Sequence, residues 1–235
     1  MRRRALGIMS AMISIIIPAL NEAEGIAATL QHMQSFRRDG HELLLADGGS
    51  HDNTVALATP MVDQVLGCAP GRATQMNVGA HAAKGDILWF VHADTVVQAG
   101  MDRLILSALR KTEKAWGHFT VRLSGKAPLL RVVETAMNWR SSLTGIATGD
   151  QGLFVRRETF EQLNGYAEIP LMEDIEICGR LKRSAGAPLR LSEKMITSSR
   201  RWESRGILRT VLLMWRLRFS YFFGTDPAEL ARRYQ

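Results

Sequence analysis

Cysteine is nearly missing from this chain of 235 residues, where Cys68 and Cys178 are the only two. Two thiols cannot build a disulfide framework, and these lack the paired spacing of a zinc site. A reducing cytosol is therefore the expected setting, and both read as ordinary core residues. Long apolar runs are missing too: no stretch reaches the roughly 20 apolar residues that span a bilayer. The opening Met1-Arg2-Arg3-Arg4 and the apolar residues behind it superficially resemble a signal peptide. They lead directly into Pro18-Ala19-Leu20-Asn21-Glu22 without a convincing small-residue cleavage site, so residues 1–11 read as an N-terminal tail before the first strand. No Gly-x-Gly-x-x-Gly follows that strand and no Lys-Ser/Thr phosphate loop occurs, so dinucleotide and NTPase readings lose their main support. Internal repeats, low-complexity tracts and linkers are also absent, which favours one compact domain over two.

What is present suffices for a full core, because 46% of the residues are apolar. The net charge of +7 is uneven: residues 180–235 hold 13 Lys and Arg against 4 Asp and Glu, a local +9, which leaves −2 for residues 1–179. Nucleic acid, anionic lipid and phosphorylated substrates would all favour such a basic end, and a solvated surface is the plain alternative. No RNA- or DNA-binding motif accompanies it, so nucleic acid is not an expected partner.

Up to about residue 122, short apolar runs alternate with helical segments, as in a parallel sheet covered by helices. Strands are expected at 13–17, 42–46, 64–66 and 87–91, and helices at 24–38, 72–83 and 101–111, with Gly40 and Gly85 as stop signals. The order then becomes mixed: strand 116–122, helix 128–142, a Gly/Thr loop at 143–150, strand 152–156, helix 173–184, strand 188–197 and a long helix at 207–223. In that last helix Leu208, Val211, Leu212, Trp215, Phe219, Phe222 and Phe223 recur at helical spacing, while Arg209, Arg216 and Arg218 add positive charge. A membrane-surface helix and a core-packing helix both fit this pattern.

Three strand ends carry polar groups toward one place. The first closes on Pro18-Ala19-Leu20-Asn21-Glu22, the second on Asp47-Gly48-Gly49-Ser50, and the fourth on His92-Ala93-Asp94. Carboxylates at the ends of parallel strands sit where such sheets bind ligands, and one of them can hold a divalent metal that grips a diphosphate. Asp47 could accept the imide N–H of uracil, although its loop also reads as a turn with a helix cap. Arg72 opens a helix, where a positive side chain opposes the macrodipole, which suits an anionic or nucleotide partner as well as an ordinary surface arginine. Glu173-Asp174 crowd another helix start, and Gly149-Asp150-Gln151-Gly152 offers a second polar rim leading into the same site. Ser198-Ser199-Arg200-Arg201-Trp202 reads equally as a phosphate clamp or as a basic turn with a half-buried tryptophan.

Taken in order, these segments resemble the family 2 glycosyltransferases, which have a GT-A fold, and in particular a compact bacterial branch without transmembrane helices. The resemblance covers roughly residues 12–223. It implies an α/β, Rossmann-like fold with a mixed, mainly parallel central sheet flanked by helices: a GT-A domain at 12–206, then a C-terminal amphipathic helix and tail at 207–235. It further implies that Pro18, Ala19, Asn21, Glu22, Asp47, Gly48, Arg72, His92, Ala93 and Asp94 bind a nucleotide-sugar. Asp94 matches the metal ligand of the Asp-x-Asp motif, with Mg²⁺ or Mn²⁺ as cofactor, and Asp174 matches the general base. Asp150, Gln151, Glu173, Arg201 and Trp202 fall in the diphosphate or acceptor region. His92 departs from the motif, which predicts weaker metal binding or another nucleotide preference. The implied activity is inverting transfer of a sugar, from a UDP-sugar, to a hydroxyl or carboxylate of a lipid or other apolar acceptor at the inner face of the cell membrane. A noncatalytic nucleotide-sugar binder and a peripheral membrane-binding protein are the alternatives.

Overall fold

The computed structural model of the protein describes residues 11–234, with the Arg201 side chain excepted, so residues 1–10 of the tail expected at 1–11 lie outside the described residues, while Ala11 is already buried in the core. Four parallel strands form the first half of one sheet: β1 (Ile13–Ala19), β2 (Glu42–Asp47), β3 (Gln64–Gly67) and β4 (Ile87–Phe90). Every residue of β1, β2 and β4 is buried, which is why they read as continuous apolar runs rather than as an alternating pattern. Full burial of an isoleucine contributes about 1.5–3 kcal/mol. Ile13, Ile15, Ile16 and Ile17, all wholly buried, thus more than offset the roughly 1–2 kcal/mol per residue of backbone ordering.

Helices cover both faces. On one, α1 (Ile26–Arg38) and α4 (Met101–Lys111) pack Leu30, Met33, Phe36, Ile105 and Leu109 against Ile15, Ile17, Leu43, Leu45 and Trp89. On the other, α3 (Arg72–Ala82) and α7 (Glu173–Ala185) pack Ala73, Met76, Ala80, Ile177 and Leu181 against Ile16, Leu44, Leu88 and Phe90. Close packing of α3 needs Gly79, because a Cβ there would run into Ile16 Cγ2. Between α1 and α3 lies the short α2 (Thr54–Ala58).

The second half is mixed. Antiparallel β7 (Phe154–Arg156) joins β4 to β6 (Trp116–Leu123), β6 pairs in parallel with β8 (Leu189–Thr197), and the two-residue β5 (Thr95–Val96) closes the edge. The order is β3-β2-β1-β4-β7-β6-β8-β5. Around this half run α5 (Pro128–Thr144), α6 (Arg157–Gln162), α8 (Arg200–Arg205), α9 (Ile207–Phe222) and α10 (Pro227–Tyr234).

Several expectations need correction. Residues 143–144 end α5 instead of opening a loop, and α2, β5, α6, α8 and α10 are additional elements, all short and too weak in periodicity to stand out. Gly85 is not a helix stop: α3 ends at Ala82, and Gly85 lies so close to the Met12 and Ser14 backbone that no Cβ fits. There its N–H donates to Ser14 Oγ (2.8 Å), which in turn donates to Glu42 (2.6 Å). Cys178 is buried as expected, and burial pushes its thiol up to about 12. Cys68 is only half-buried.

Helix α9 has two apolar sides. One docks: Ile207 and Val211 meet Leu130 and Val133 of α5, while Leu217 meets Met172 just before α7 and Leu230 of α10. The other is open, with Leu208, Leu212, Trp215, Phe219 and Phe222 all exposed. Among the described residues, no helix is long and apolar enough to cross a membrane.

Candidate functional site

The register of the parallel strands sets Ala19 level with Asp47, so the loops after β1 and β2 leave the sheet at the same edge. They are zipped together there. Asn21, in the left-handed region (φ 54°), donates its N–H to Ser50 Oγ at 2.9 Å and accepts the N–H of His51 at 2.9 Å. Asparagine tolerates that conformation better than most residues. Asp47 accepts the N–H groups of Gly49 and Ser50 at 3.0 Å each and the Ser50 hydroxyl at 2.5 Å. The turn therefore uses three of the roughly four acceptor positions of a carboxylate, which leaves about one for a ligand. Gly48 donates its N–H to Ala19 O, and Pro18 and Ala19 stay in β1.

Beneath this rim lies a residue the sequence reading passed over. Gln75 is buried, and its amide donates to Ala19 O (2.7 Å) and Ala46 O (2.9 Å), fastening the ends of β1 and β2. The available signal was a polar residue on the stripe of α3 that Ala73, Met76 and Ala80 make apolar.

After β4 the chain turns through His92, Ala93 and Asp94. Asp94 is raised above its ordinary value by burial and by Asp150, against the opposing charges of His92 and Arg200. Glu22 is raised by burial and by Asp94, although Arg200 opposes this. Asp150 is different: burial would raise it, but the hydrogen bond and charge of His92, with Arg72, hold it down. His92 Nδ1 stands 3.3 Å from Asp150 Oδ1, and the Thr197 hydroxyl donates to the same oxygen at 3.3 Å. His92 Nε2 is buried without a partner and faces Gly149, where a Cβ would collide with it.

On the opposite rim, Glu173 and Asp174 begin α7 behind Met172, which is buried and left-handed (φ 71°). Asp174 accepts the N–H of Gly149 at 3.3 Å. Glu173, raised by burial and by Asp174, pairs with Arg72 at 3.2 Å. Burial would lower Arg72, yet Glu173, Asp174 and Asp150 together hold it above its ordinary value. Arg72, His92, Gly149, Glu173 and Asp174 line one pocket together with Phe90 and Tyr166.

Two of the expected contacts turn inward. Gln151 is fully buried, and its side chain accepts from Thr148 N and donates to Ser141 Oγ and Phe119 O, so it braces the loop. Trp202 packs half-buried against the cluster of Leu123, Leu130 and Val133. The Arg201 side chain lies outside the described residues. Its neighbour Arg200 instead reaches the first rim, pairing with Glu22 (3.2 Å) and Glu24 (3.0 Å).

Crowded carboxylates with raised values suit a divalent cation, whose charge would relieve both burial and mutual repulsion. Among the described residues, no group of three or more His, Cys, Asp or Glu is gathered to cage a metal. The donor set fits a hard cation shared between one or two carboxylate oxygens and a diphosphate, as Mg²⁺ commonly is.

Fold and site together define a class: an α/β protein with a charged crevice at the carboxyl edge of its parallel strands, suited to a phosphorylated ligand. A family model described as Glycosyl transferase family 2 matches residues 14–162, more than half of the chain, and the chain belongs to that family. An uncharacterised glycosyltransferase of Mycobacterium tuberculosis is 31% identical over 132 residues, covering 48% of this chain and 47% of the relative. The glycosyltransferase GlyG of Streptococcus pneumoniae is 28% identical over 100 residues, covering 40% of this chain and 33% of the relative. The chain thus spans about half or less of the length of the curated relatives it matches. Among solved structures, glucosyl-3-phosphoglycerate synthase from M. tuberculosis, in complex with Mn²⁺, UDP-glucose and phosphoglyceric acid, superposes with a TM-score of 0.65 at 18% identity, covering 89% of this chain and 80% of that one. S. aureus TarS 1–349 in complex with UDP-GlcNAc superposes with a TM-score of 0.66 at 17% identity, covering 80% and 59%. These likenesses establish the shared GT-A fold.

Proposed function

We propose that this protein is an inverting glycosyltransferase that takes a UDP-sugar and delivers the sugar to an acceptor hydroxyl or carboxylate. One observation carries the reading: the Glu22, Asp94 and Asp150 carboxylates and Arg72 gather at one strand edge, joined through Glu173 to the helix start bearing Asp174. Asp94 would hold Mg²⁺ or Mn²⁺, a cofactor that offsets the charge of a diphosphate. Arg72 and Arg201 add positive charge for the leaving diphosphate, and the rim of Asn21, Asp47 and Gly48 cradles the nucleoside. Asp174 takes the acceptor proton as the acceptor oxygen attacks the anomeric carbon. The bond to the diphosphate breaks on the opposite side, and the diphosphate keeps the electron pair, so configuration inverts.

The acceptor side is where α9 crosses the start of α7. Its open face and the exposed Trp139 and Leu143 of α5 support a lipid or other apolar acceptor. Arg209 and Arg216, both exposed on α9, favour an anionic membrane at its cytoplasmic face. His92, paired with Asp150 at the first position of the Asp-x-Asp motif, is the observation that favours the noncatalytic alternative.

Thermal unfolding with a panel of nucleotide sugars, with and without Mn²⁺, tests the donor site, since a ligand of the folded state raises its stability. UDP-sugars should stabilise the protein in a Mn²⁺-dependent way. Asp94→Asn should weaken Mn²⁺-dependent UDP binding at least about tenfold, or about 1.4 kcal/mol, without altering the fold. Unchanged affinity by calorimetry would remove Asp94 as the metal ligand.

A further inference from the structure

The arginines around the site divide into two groups. Arg72 pairs with Glu173, Arg180 with Glu176, Arg200 with Glu22 and Glu24, and Arg131 with Glu134. Arg140 of α5 and Arg218 of α9 do not follow this pattern. Arg140 donates through Nη1 to Ile146 O at 3.1 Å, but its Nε and Nη2 are buried without a partner, and so is Arg218 Nε. Burial, helped by the like charge of Arg218, pushes Arg140 down to about 10, which still leaves it charged at neutral pH. Asp174 is its charged neighbour of opposite sign. Buried cations with unpaired donors oppose folding unless something answers them. A forked guanidinium pair is suited to phosphate oxygens.

We propose that Arg140 and Arg218 form an anion subsite on the acceptor side of Asp174, taking the phosphate of a phosphorylated acceptor. This rests on the reading of Asp174 as the residue that meets the acceptor, and it narrows that acceptor to a chemical class. The location agrees: Leu217, next to Arg218, packs on Met172, two residues before Asp174, and Tyr221 of the same helix is raised by burial and by the charges of Glu176 and Asp174. Arg72 flanks Asp174 from the donor side, so two separate positive groups stand ready for two phosphorylated ligands. The unpartnered nitrogens are themselves buried, although Arg140 and Arg218 are each only half-buried as residues.

The test uses the full chain saturated with UDP and Mn²⁺, which occupies the donor side and reports donor binding independently in the same samples. Inorganic phosphate, at matched ionic strength against chloride, should raise the melting temperature of the wild type. Arg140→Gln and Arg218→Gln should each abolish that rise, keep the UDP response, and melt no lower than wild type in phosphate-free buffer. Flotation then identifies the source. Stronger recovery with phosphatidic acid than with phosphatidylcholine vesicles, lost in both variants, assigns the phosphate to a lipid headgroup. A phosphate response without that preference assigns it to a soluble acceptor. A phosphate response that persists in both variants, or no response in a wild type that binds UDP, overturns the subsite and leaves the donor reading standing. If one variant fails to fold, the other decides.

Discussion

Ile16 in β1 and Phe222 in α9 are both large apolar residues, yet the first is wholly buried and the second is 83% exposed. The same contrast separates the two regions they stand for. Around β1, β2 and β4, strands are covered on both faces and the loops at their ends are pinned by Gln75, Ser50 and Asn21. Around α5, α9 and α10, two small clusters hold the helices together while a stripe of aromatic residues stays open and Arg140 and Arg218 keep buried guanidinium nitrogens without a partner. The comparison teaches where rigidity was needed. On the proposed reading the first region is the nucleotide rim, which must be formed before the ligand arrives because each misplaced donor weakens the binding. On the same reading the second is a surface for a large or lipid-borne acceptor, which gains from apolar groups kept accessible, at the expense of stability.

The largest expected effect lies on the boundary between the two regions. Asp174→Asn retains shape but loses basicity, so sugar transfer should slow by at least about 100-fold while UDP binding persists. Turnover close to normal would exclude Asp174 as base and turn attention to Glu173 or Asp150. Absence of turnover in the wild type across donors and acceptors would favour the noncatalytic binder.

A matched pair of deletions comes next. Ile16→Ala should cost about 2–5 kcal/mol in denaturant unfolding, because it opens a cavity between β1 and α3. Phe222→Ser should change stability by less than about 0.5 kcal/mol, as expected of an exposed site, while reducing flotation with anionic liposomes. Substantial destabilisation by Phe222→Ser would mean that the open face is covered by protein and would end the membrane reading.

The smallest effect concerns His118, buried in β6, where burial and the charges of Arg190 and Arg140 lower it below its ordinary 6.5, although a hydrogen bond to Phe119 O opposes this. Below pH 6.5 the unfolded chain takes up a proton that the folded one refuses. Stability from this group is therefore complete above 6.5 and is lost as pH falls toward the depressed folded value, with a slope of at most about 1.4 kcal/mol per pH unit. His118→Phe should flatten that part of the profile in urea unfolding between pH 7 and 5. An unchanged slope would assign it to other groups.

How much was legible follows from the reach of each signal. The four parallel strands were visible because burial on both faces makes each an unbroken apolar run. The crevice was visible because Asn21, Asp47 and Asp94 each follow such a run within a few residues. Gln151, expected in the diphosphate or acceptor region, instead turns inward, since a sequence does not say which way a side chain points from a loop, and Trp202 takes the half-buried one of its two readings. Nothing in the residues beside Arg200 points to the first rim, yet its guanidinium reaches Glu22 across 178 positions of chain.

By itself, then, the sequence determined the α/β order, the strand ends that bear carboxylates and the apolar helix expected at 207–223, because each is written in neighbouring residues as period, burial pattern or turn chemistry. Only the tertiary structure decided which polar groups meet. It joined Arg72 to Glu173 and His92 to Asp150, fastened two strands with Gln75, and brought Arg140 and Arg218 together beside Asp174. The reason is that electrostatic interaction depends on separation in space and on exclusion of water, and neither quantity is encoded at any single position of the chain.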